Sequence, residues 1–461
     1  MTGYGRMCMR GHASIARGRK RSTLSLRAHP ERNGGWVGLC VRSRIWSGSS
    51  GRGACLGVAL YALIGTPVFA EPLSWRDALE LAERQHPLLQ AALAEIDAAQ
   101  AAIRTARAVP NPLGSFAAGR QTVRAPGNTA GTAYGFTAEQ VIDWGPVRST
   151  RIALAEWHQA RARALAELTR LEVLSGVRRA FYEVLRLQSE IALLQENVRL
   201  VEELLQRVRL RVSVGEGARL EAIRAEAELA VASTGANKAQ LELVRALGAL
   251  RTAIGLPEGA PIQVVGAPEP AATLPDLQAL RAEMLDRHPA LRLARSEIHA
   301  AEARLRHEAA QRIPQPSLLA QVDYPPDTPV YLVGFAVPVP LWNLRQGPIA
   351  EAQAQLRRAQ EMARHRELEL LSALEAAYGR YQIAHQQAQT IEQVLLREAQ
   401  QALEASETAY RLGERGLIEV LDAQRVLRSV RLSFVQSQFE RQAAMIDLDA
   451  LRAVDPRQRT N

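Results

Sequence analysis

The stretch AYRLGERGLIEVLDAQR, residues 409–425, breaks a long helical pattern with two glycines and starts another helix at once. A second stretch, VRLRVSVGEGARLEAIRAEAE at 208–228, has the same form. Gly215 stands against Gly413, Glu221 against Glu419 and Ala225 against Ala423, at a constant offset of 198 residues. A helix that ends in glycine and restarts within a few residues is a hairpin turn. Two such turns at one offset mean that the chain is an internal duplicate.

Working outward, residues 75–106 match residues 277–308, with His86-Pro87 against His288-Pro289 and Glu95-Ile96 against Glu297-Ile298. Both segments run into a proline pair, Pro110-Asn111-Pro112 and Pro314-Gln315-Pro316. Beyond the prolines the pattern changes to alternation. YGFTAEQVIDWG (134–145) and VYLVGFAVPVPLWN (330–343) read as strands, the second with Tyr331, Val333, Phe335, Val337, Val339 and Leu341 on one face. Each is preceded by a further candidate strand, at about 113–124 and 317–324, which makes two strands per half.

Two proline-free runs follow, 110 residues from Val147 to Leu256 and 107 from Ile349 to Asp455. In the first, Val173, Val177, Ala180, Val184, Leu187, Ile191, Leu194, Val198, Val201, Leu205, Val208 and Val212 alternate steps of four and three. That 3.5-residue period is a coiled-coil seam and predicts left-handed supercoiling. A helix from Pro146 to Val212 would be about 100 Å long. The expected organisation is therefore an extension and leader (1–70), a first repeat (71–254), a Pro/Gly-rich linker (255–275), a second repeat (276–455) and a short tail (456–461).

The formal charge of +9 suggests a polyanionic partner until its position is considered. Residues 1–70 hold eleven Arg or Lys against the single acid Glu31, so the remainder is nearly neutral and nucleic acid is not an expected partner. The leader ends in LGVALYALIGTPVFA (56–70), an apolar run too short to span a membrane, closed by Val68-Phe69-Ala70. A cleavable signal peptide, cut before Glu71, is the reading. Cys8, Cys40 and Cys55 all precede that cut, which leaves a thiol-free product suited to an oxidising compartment. Cys55 lies before the apolar run, which speaks against a lipid anchor.

Four strands per chain cannot close a spanning barrel, and open edges cannot sit in lipid. Either the chain oligomerises or the strands lie outside the membrane, as in a structural coiled-coil protein of the cell envelope. At this point LSWRDALELAERQHPLL, PNP, VPVPLW, AYRLGERGLIEVLDAQR and the duplication together resemble the TolC-type outer-membrane efflux channels, over almost all of 71–455. The PNP and PVPLWN segments are most similar to the cobalt–zinc–cadmium efflux outer-membrane components. The resemblance implies a mainly α fold with a transmembrane β-barrel. Three copies make a homotrimeric, 12-stranded barrel in outer-membrane lipid, continued by an α-helical barrel across the periplasm. It further implies a passive exit duct that works with a periplasmic adaptor and an inner-membrane pump of the RND type. Heavy-metal cations are the first expected cargo, and organic compounds or secreted polypeptides the alternative.

Position by position, the resemblance casts Tyr410 and Arg415 as ties that hold neighbouring hairpins shut at the periplasmic tip, with Glu221 as their acidic partner. It casts Glu419 and Asp422 as an acidic ring at the narrowest opening, although the family usually has aspartate where this chain has Glu419 and Glu221. The i, i+3 spacing puts Glu419 and Asp422 on one helix face, a pattern that a solvated surface also produces. Gly215, Gly217, Gly413 and Gly416 are the turn glycines. Trp144 and Trp342, at equivalent strand ends, suit either an aromatic girdle at the membrane interface or packed core positions. His86 and His288 read as structural and His299 and His307 as surface residues, since no carboxylate or thiol completes a metal set. No phosphate loop or nucleophile motif is present, so neither an enzyme nor a cofactor is expected.

Overall fold

The computed structural model describes residues 72–122, 126–127, 129–143, 145–271 and 273–455. The leader with its cysteines and expected cleavage point, Trp144 and the tail 456–461 lie outside the described residues. The first half runs β1 (Pro72–Leu73), α1 (Trp75–Gln85), α2 (Pro87–Arg107), β2 (Leu113–Gln121), β3 (Gly131–Val141), α3 (Gly145–Ser213) and α4 (Arg219–Ile254). The second runs β4 (Gln263–Val264), α5 (Leu277–Arg287), α6 (Pro289–Ala310), β5 (Ser317–Tyr324), β6 (Val330–Ala336), α7 (Gln346–Thr390), α8 (Leu396–Arg411) and α9 (Leu417–Leu451). One π-helical turn, Ile391–Leu395, joins α7 to α8 without breaking the rod.

Local chemistry explains the helix starts. Ser74 caps α1 through a capping box with Asp77, and Asp276 caps α5. The repeated His-Pro pair does the same for α2 and α6. His86 Nδ1 accepts the Leu88 N–H at 3.2 Å and His288 Nδ1 accepts the Ala290 N–H at 3.1 Å, with proline at the first helical position.

α3 is a single helix of 69 residues, about 100 Å long. The seam residues read from the sequence are buried or partly buried along it. α2 packs on its upper part and α4 on its lower part, while α6 and α9 divide the α7–α8 rod in the same way. α3 also packs against α6 above and α9 below, so the two halves lie side by side. At mid-height β1 pairs parallel with β4. The linker there is thus held in place, where composition alone reads as connector.

The four-stranded sheet is antiparallel in the order β2-β3-β5-β6, with Phe116 opposite Phe136, Tyr134 opposite Tyr324 and Val322 opposite Tyr331. That register sorts the side chains. One face carries Phe116, Ala118, Tyr134, Phe136, Leu318, Ala320, Val322, Tyr331, Val333 and Phe335. The other carries Ser115, Ala117, Gly119, Gly135, Thr137, Glu139, Gln321, Asp323 and Gly334, together with Leu113, Leu319, Val330 and Leu332. β6 ends at Ala336, short of the 330–343 run expected from alternation, because Pro338 and Pro340 have no N–H to give a ladder. No helix among the described residues is long and apolar enough to cross a membrane.

Candidate functional site

Both hairpin tips are built alike. After α3, the Glu216 N–H reaches the Arg211 carbonyl at 2.9 Å; after α8, the Glu414 N–H reaches the Ala409 carbonyl at 2.9 Å. These six-to-one bonds need a left-handed residue just before them. Gly215 (φ 82°) and Gly413 (φ 76°) supply it. The other two turn glycines are different. Gly416 starts α9 at φ −83°, where any residue fits, and the position that matches Gly217 in the second repeat is occupied by Arg415. The second tip alone therefore carries a guanidinium at its apex.

The tips pack on one another through Leu204, Leu205, Val208, Ala225, Leu417, Val420 and Leu421. Tyr410 closes that cluster. The Arg211 guanidinium lies over its ring at 4.9 Å, and its buried hydroxyl has no hydrogen-bond partner among the described residues. Burial, and then the nearby Glu221 carboxylate, raise the phenol above its ordinary pKa. Tyr410 and Glu221 are thus brought together within one chain. Arg415 is not: its guanidinium pairs with Glu419 one turn along, both side chains being substantially exposed. Asp422, also exposed, takes Arg425 at 3.2 Å. Glu419 and Asp422 share the exposed side of α9, opposite the buried Leu417, Val420, Leu421 and Gln424. Each acid already has an arginine.

Two ion clusters escaped the sequence reading. Glu228 on α4 is buried and receives Arg425 at 2.6 Å and Arg428 at 3.4 Å from α9, which clasps one hairpin to the other above the tip. The signal was a carboxylate within a stripe of buried alanines, Ala225, Ala232, Ala236 and Ala239; a charge so placed needs partners. At mid-height Arg178 on α3 is 1% exposed and binds Asp449 of α9 at 2.8 Å and linker residue Glu269 at 2.9 Å. Trp75 lies 5.3 Å from the guanidinium, and the Tyr182 hydroxyl donates to Glu269 at 2.9 Å. Burial pulls the Arg178 pKa down, but Glu269 and Asp449 outweigh it and the net shift is upward.

The remaining expected residues are dispersed. Trp342 is 91% exposed just beyond β6. His299 stacks on Trp157 at 4.5 Å, and His307 lies between Thr150 and Gln311. Among the described residues no group of three or more His, Cys, Asp or Glu is placed to hold a metal ion.

Comparison with known proteins adds the following. The family model described as outer membrane efflux protein matches residues 78–256 and 280–453. The chain is 27% identical over 383 residues to the cobalt-zinc-cadmium resistance protein CzcC of Cupriavidus metallidurans, covering 80% of this chain and 88% of that one. It is 29% identical over 398 residues to the pyoverdine export outer membrane protein OpmQ of Pseudomonas aeruginosa, covering 78% and 81%. Among solved structures, the outer-membrane channel OprN superposes with a TM-score of 0.72 at 18% identity, over 83% of this chain and 90% of that one.

Proposed function

Given that this chain belongs to the outer membrane efflux protein family, we propose that it is the exit duct of a tripartite efflux system. Three copies close a 12-stranded barrel in outer-membrane lipid, and their helices continue the tube through the periplasm to an adaptor and an inner-membrane pump of the RND type. The repeats 71–254 and 276–455, joined by the linker 255–275, each contribute one strand pair and one helical hairpin. The observation that carries this reading is the sheet. One face is dominated by aromatic and aliphatic side chains, the other mixes small and polar residues with a few leucines and valines, and the edge strands β2 and β6 lack outer partners within the described chain. The first face gathers the aromatic rings, and the second holds the acids Glu139 and Asp323 and most of the small residues beside Leu113, Leu319 and Leu332. That bias suits lipid on one side and a wet lumen on the other, provided the edges are closed.

In this assembly Gly215, Gly217, Gly413 and Gly416 form the periplasmic turns. Tyr410, Arg415 and Glu221 tie the hairpins, and Glu419 and Asp422 from three chains ring the narrowest opening. Trp144 and Trp342 belong to the interfacial girdle. The cargo proposed first is a heavy-metal cation, on the likeness to CzcC. OpmQ supports an organic cargo as the second reading. Deleting the gene separates them. Loss of tolerance to zinc, cobalt, cadmium or copper with unchanged antibiotic tolerance is the expected result; the reverse pattern would move the duct to organic compounds.

A further inference from the structure

A cavity of about 550 Å³ lies where the sheet gives way to the long helices. Arg151, Arg312, Arg345, His307, Asn343 and Val339 are among the residues that line it. Its charge is not balanced. Arg151 and neighbouring Arg148 share Asp143 at 2.7 and 3.6 Å, and Arg345 pairs with Glu308. Arg312 donates only to the Leu344 carbonyl, at 3.2 Å, and has no carboxylate partner among the described residues. Of the three arginines that line the cavity, two have carboxylate partners and Arg312 stands in excess.

Two further features point at an anion. Both long helices begin here, α3 at Gly145 and α7 at Gln346, and helix starts present free N–H groups and positive dipole ends. No side chain caps α7. Arg345 holds its N-cap position at φ 58°, a left-handed conformation that non-glycine residues rarely adopt. That conformation is kept by the bond from the Arg345 N–H to Asn343 Oδ1 at 2.9 Å and by the Glu308 pair. Backbone held against its preference often marks a ligand site. The Nε atom of Arg345 is buried without a hydrogen-bond partner.

The surroundings select the anion. Tyr331, Val333 and Phe335 belong to the apolar face of the sheet, and exposed Val337, Val339, Leu341 and Trp342 continue it past the end of β6 to the cavity wall. A free anion has no use for that strip. We infer that the cavity holds the phosphate of an anionic phospholipid from the leaflet nearer the long helices, with its acyl chains lying along the strip. This rests on the reading of the sheet as part of a membrane barrel. Arginine recognises the phosphodiester by paired N–H bonds, and the unpaired positive charge of Arg312 favours a lipid with net negative charge over a zwitterionic one.

The test uses the full chain, extracted as its oligomer and stripped of lipid, with native mass spectrometry during titration. The probes are phosphatidylglycerol, phosphatidylcholine and inorganic phosphate. Expected is one phosphatidylglycerol retained per subunit, phosphatidylcholine about fivefold weaker, and no displacement by millimolar phosphate. Arg312→Glu should weaken phosphatidylglycerol about tenfold; if that variant fails to assemble, Arg312→Gln, which removes the charge alone, is read instead. Retention unchanged in an assembled Arg312 variant, or displacement by inorganic phosphate, overturns the lipid site. Heat-modifiable migration of the oligomer is followed in parallel. Its absence in the unmutated chain would count against the membrane barrel itself, whereas its presence with unchanged lipid binding removes only this inference.

Discussion

At the scale of single residues, His288 and the turn glycines show how much one position can do. His288 caps α6 through Nδ1, which accepts only while the imidazole is neutral. Burial, then the nearby Arg366 and Arg292, lower its pKa from 6.5 to about 4. The unfolded chain therefore takes up a proton below pH 6.5 that the folded chain refuses. Stability from this residue is complete above pH 6.5 and is lost as the pH falls through 4, on the order of 2 kcal/mol per subunit. His288→Asn keeps a capping oxygen and removes the titration, so its unfolding midpoint should fall less steeply between pH 6.5 and 4. Parallel acid limbs for both proteins would show that His288 does not carry the effect. The glycines divide in the same local way. Gly413→Ala forces a Cβ into the left-handed region and should destabilise the tip by about 1–2 kcal/mol. Gly416→Ala, at φ −83° with open space around it, should stay within about 0.5 kcal/mol. Hydrogen exchange at the ends of α8 and α9 measures both.

At the scale of elements, the second hairpin carries the candidate gate, and its internal pairing shapes what a mutation should do. Arg415 masks Glu419 within one chain, so Arg415→Ala should both loosen the tip and expose a carboxylate. In planar bilayers this variant is expected to conduct more than the parent and to be blocked by multivalent cations at lower concentration. Glu419→Ala with Asp422→Ala should abolish the block; if the block persists, the pair is an ordinary solvated face. The turns, the heptad seam and the His-Pro starts were legible in the sequence because each is written within a few residues of chain. β6 stops at Ala336 although the alternation runs on to Asn343, because at Pro338 and Pro340 side-chain pattern and hydrogen-bonding capacity part company. The clasp of Glu228 by Arg425 and Arg428 joins residues roughly two hundred positions apart, and the mid-height cluster joins Arg178 to Glu269 and Asp449 across 91 and 271 positions. No local pattern encodes them, although a lone acid on an alanine stripe and an arginine on an apolar seam both announce that some partner must exist.

At the scale of the whole molecule, strand direction and number constrain the assembly. β2, β3, β5 and β6 alternate in direction, so β6 of one copy can meet β2 of the next without breaking the antiparallel order. Two copies would give eight strands, whose interior is just wide enough to be filled by side chains. That is no duct. Twelve strands from three copies is the smallest closure that leaves a lumen. Cysteine pairs can test this, because Cys8, Cys40 and Cys55 all precede the expected cut before Glu71 and leave a thiol-free background. Ser115 or Ala117 on β2, combined in one chain with Leu332 or Gly334 on β6, places both thiols on the face away from the aromatic rings. Only pairs in register will bring Cα atoms within the roughly 4.4–6.8 Å that a disulfide allows, so one or two of the four combinations should cross-link on mild oxidation. Denaturing gels should then show covalent species of two and three chains and nothing larger, since a closed ring has no free edge left to react. A ladder that stops at two chains would point to an eight-stranded closure, and one that climbs past three would mean that the edges meet in an open array.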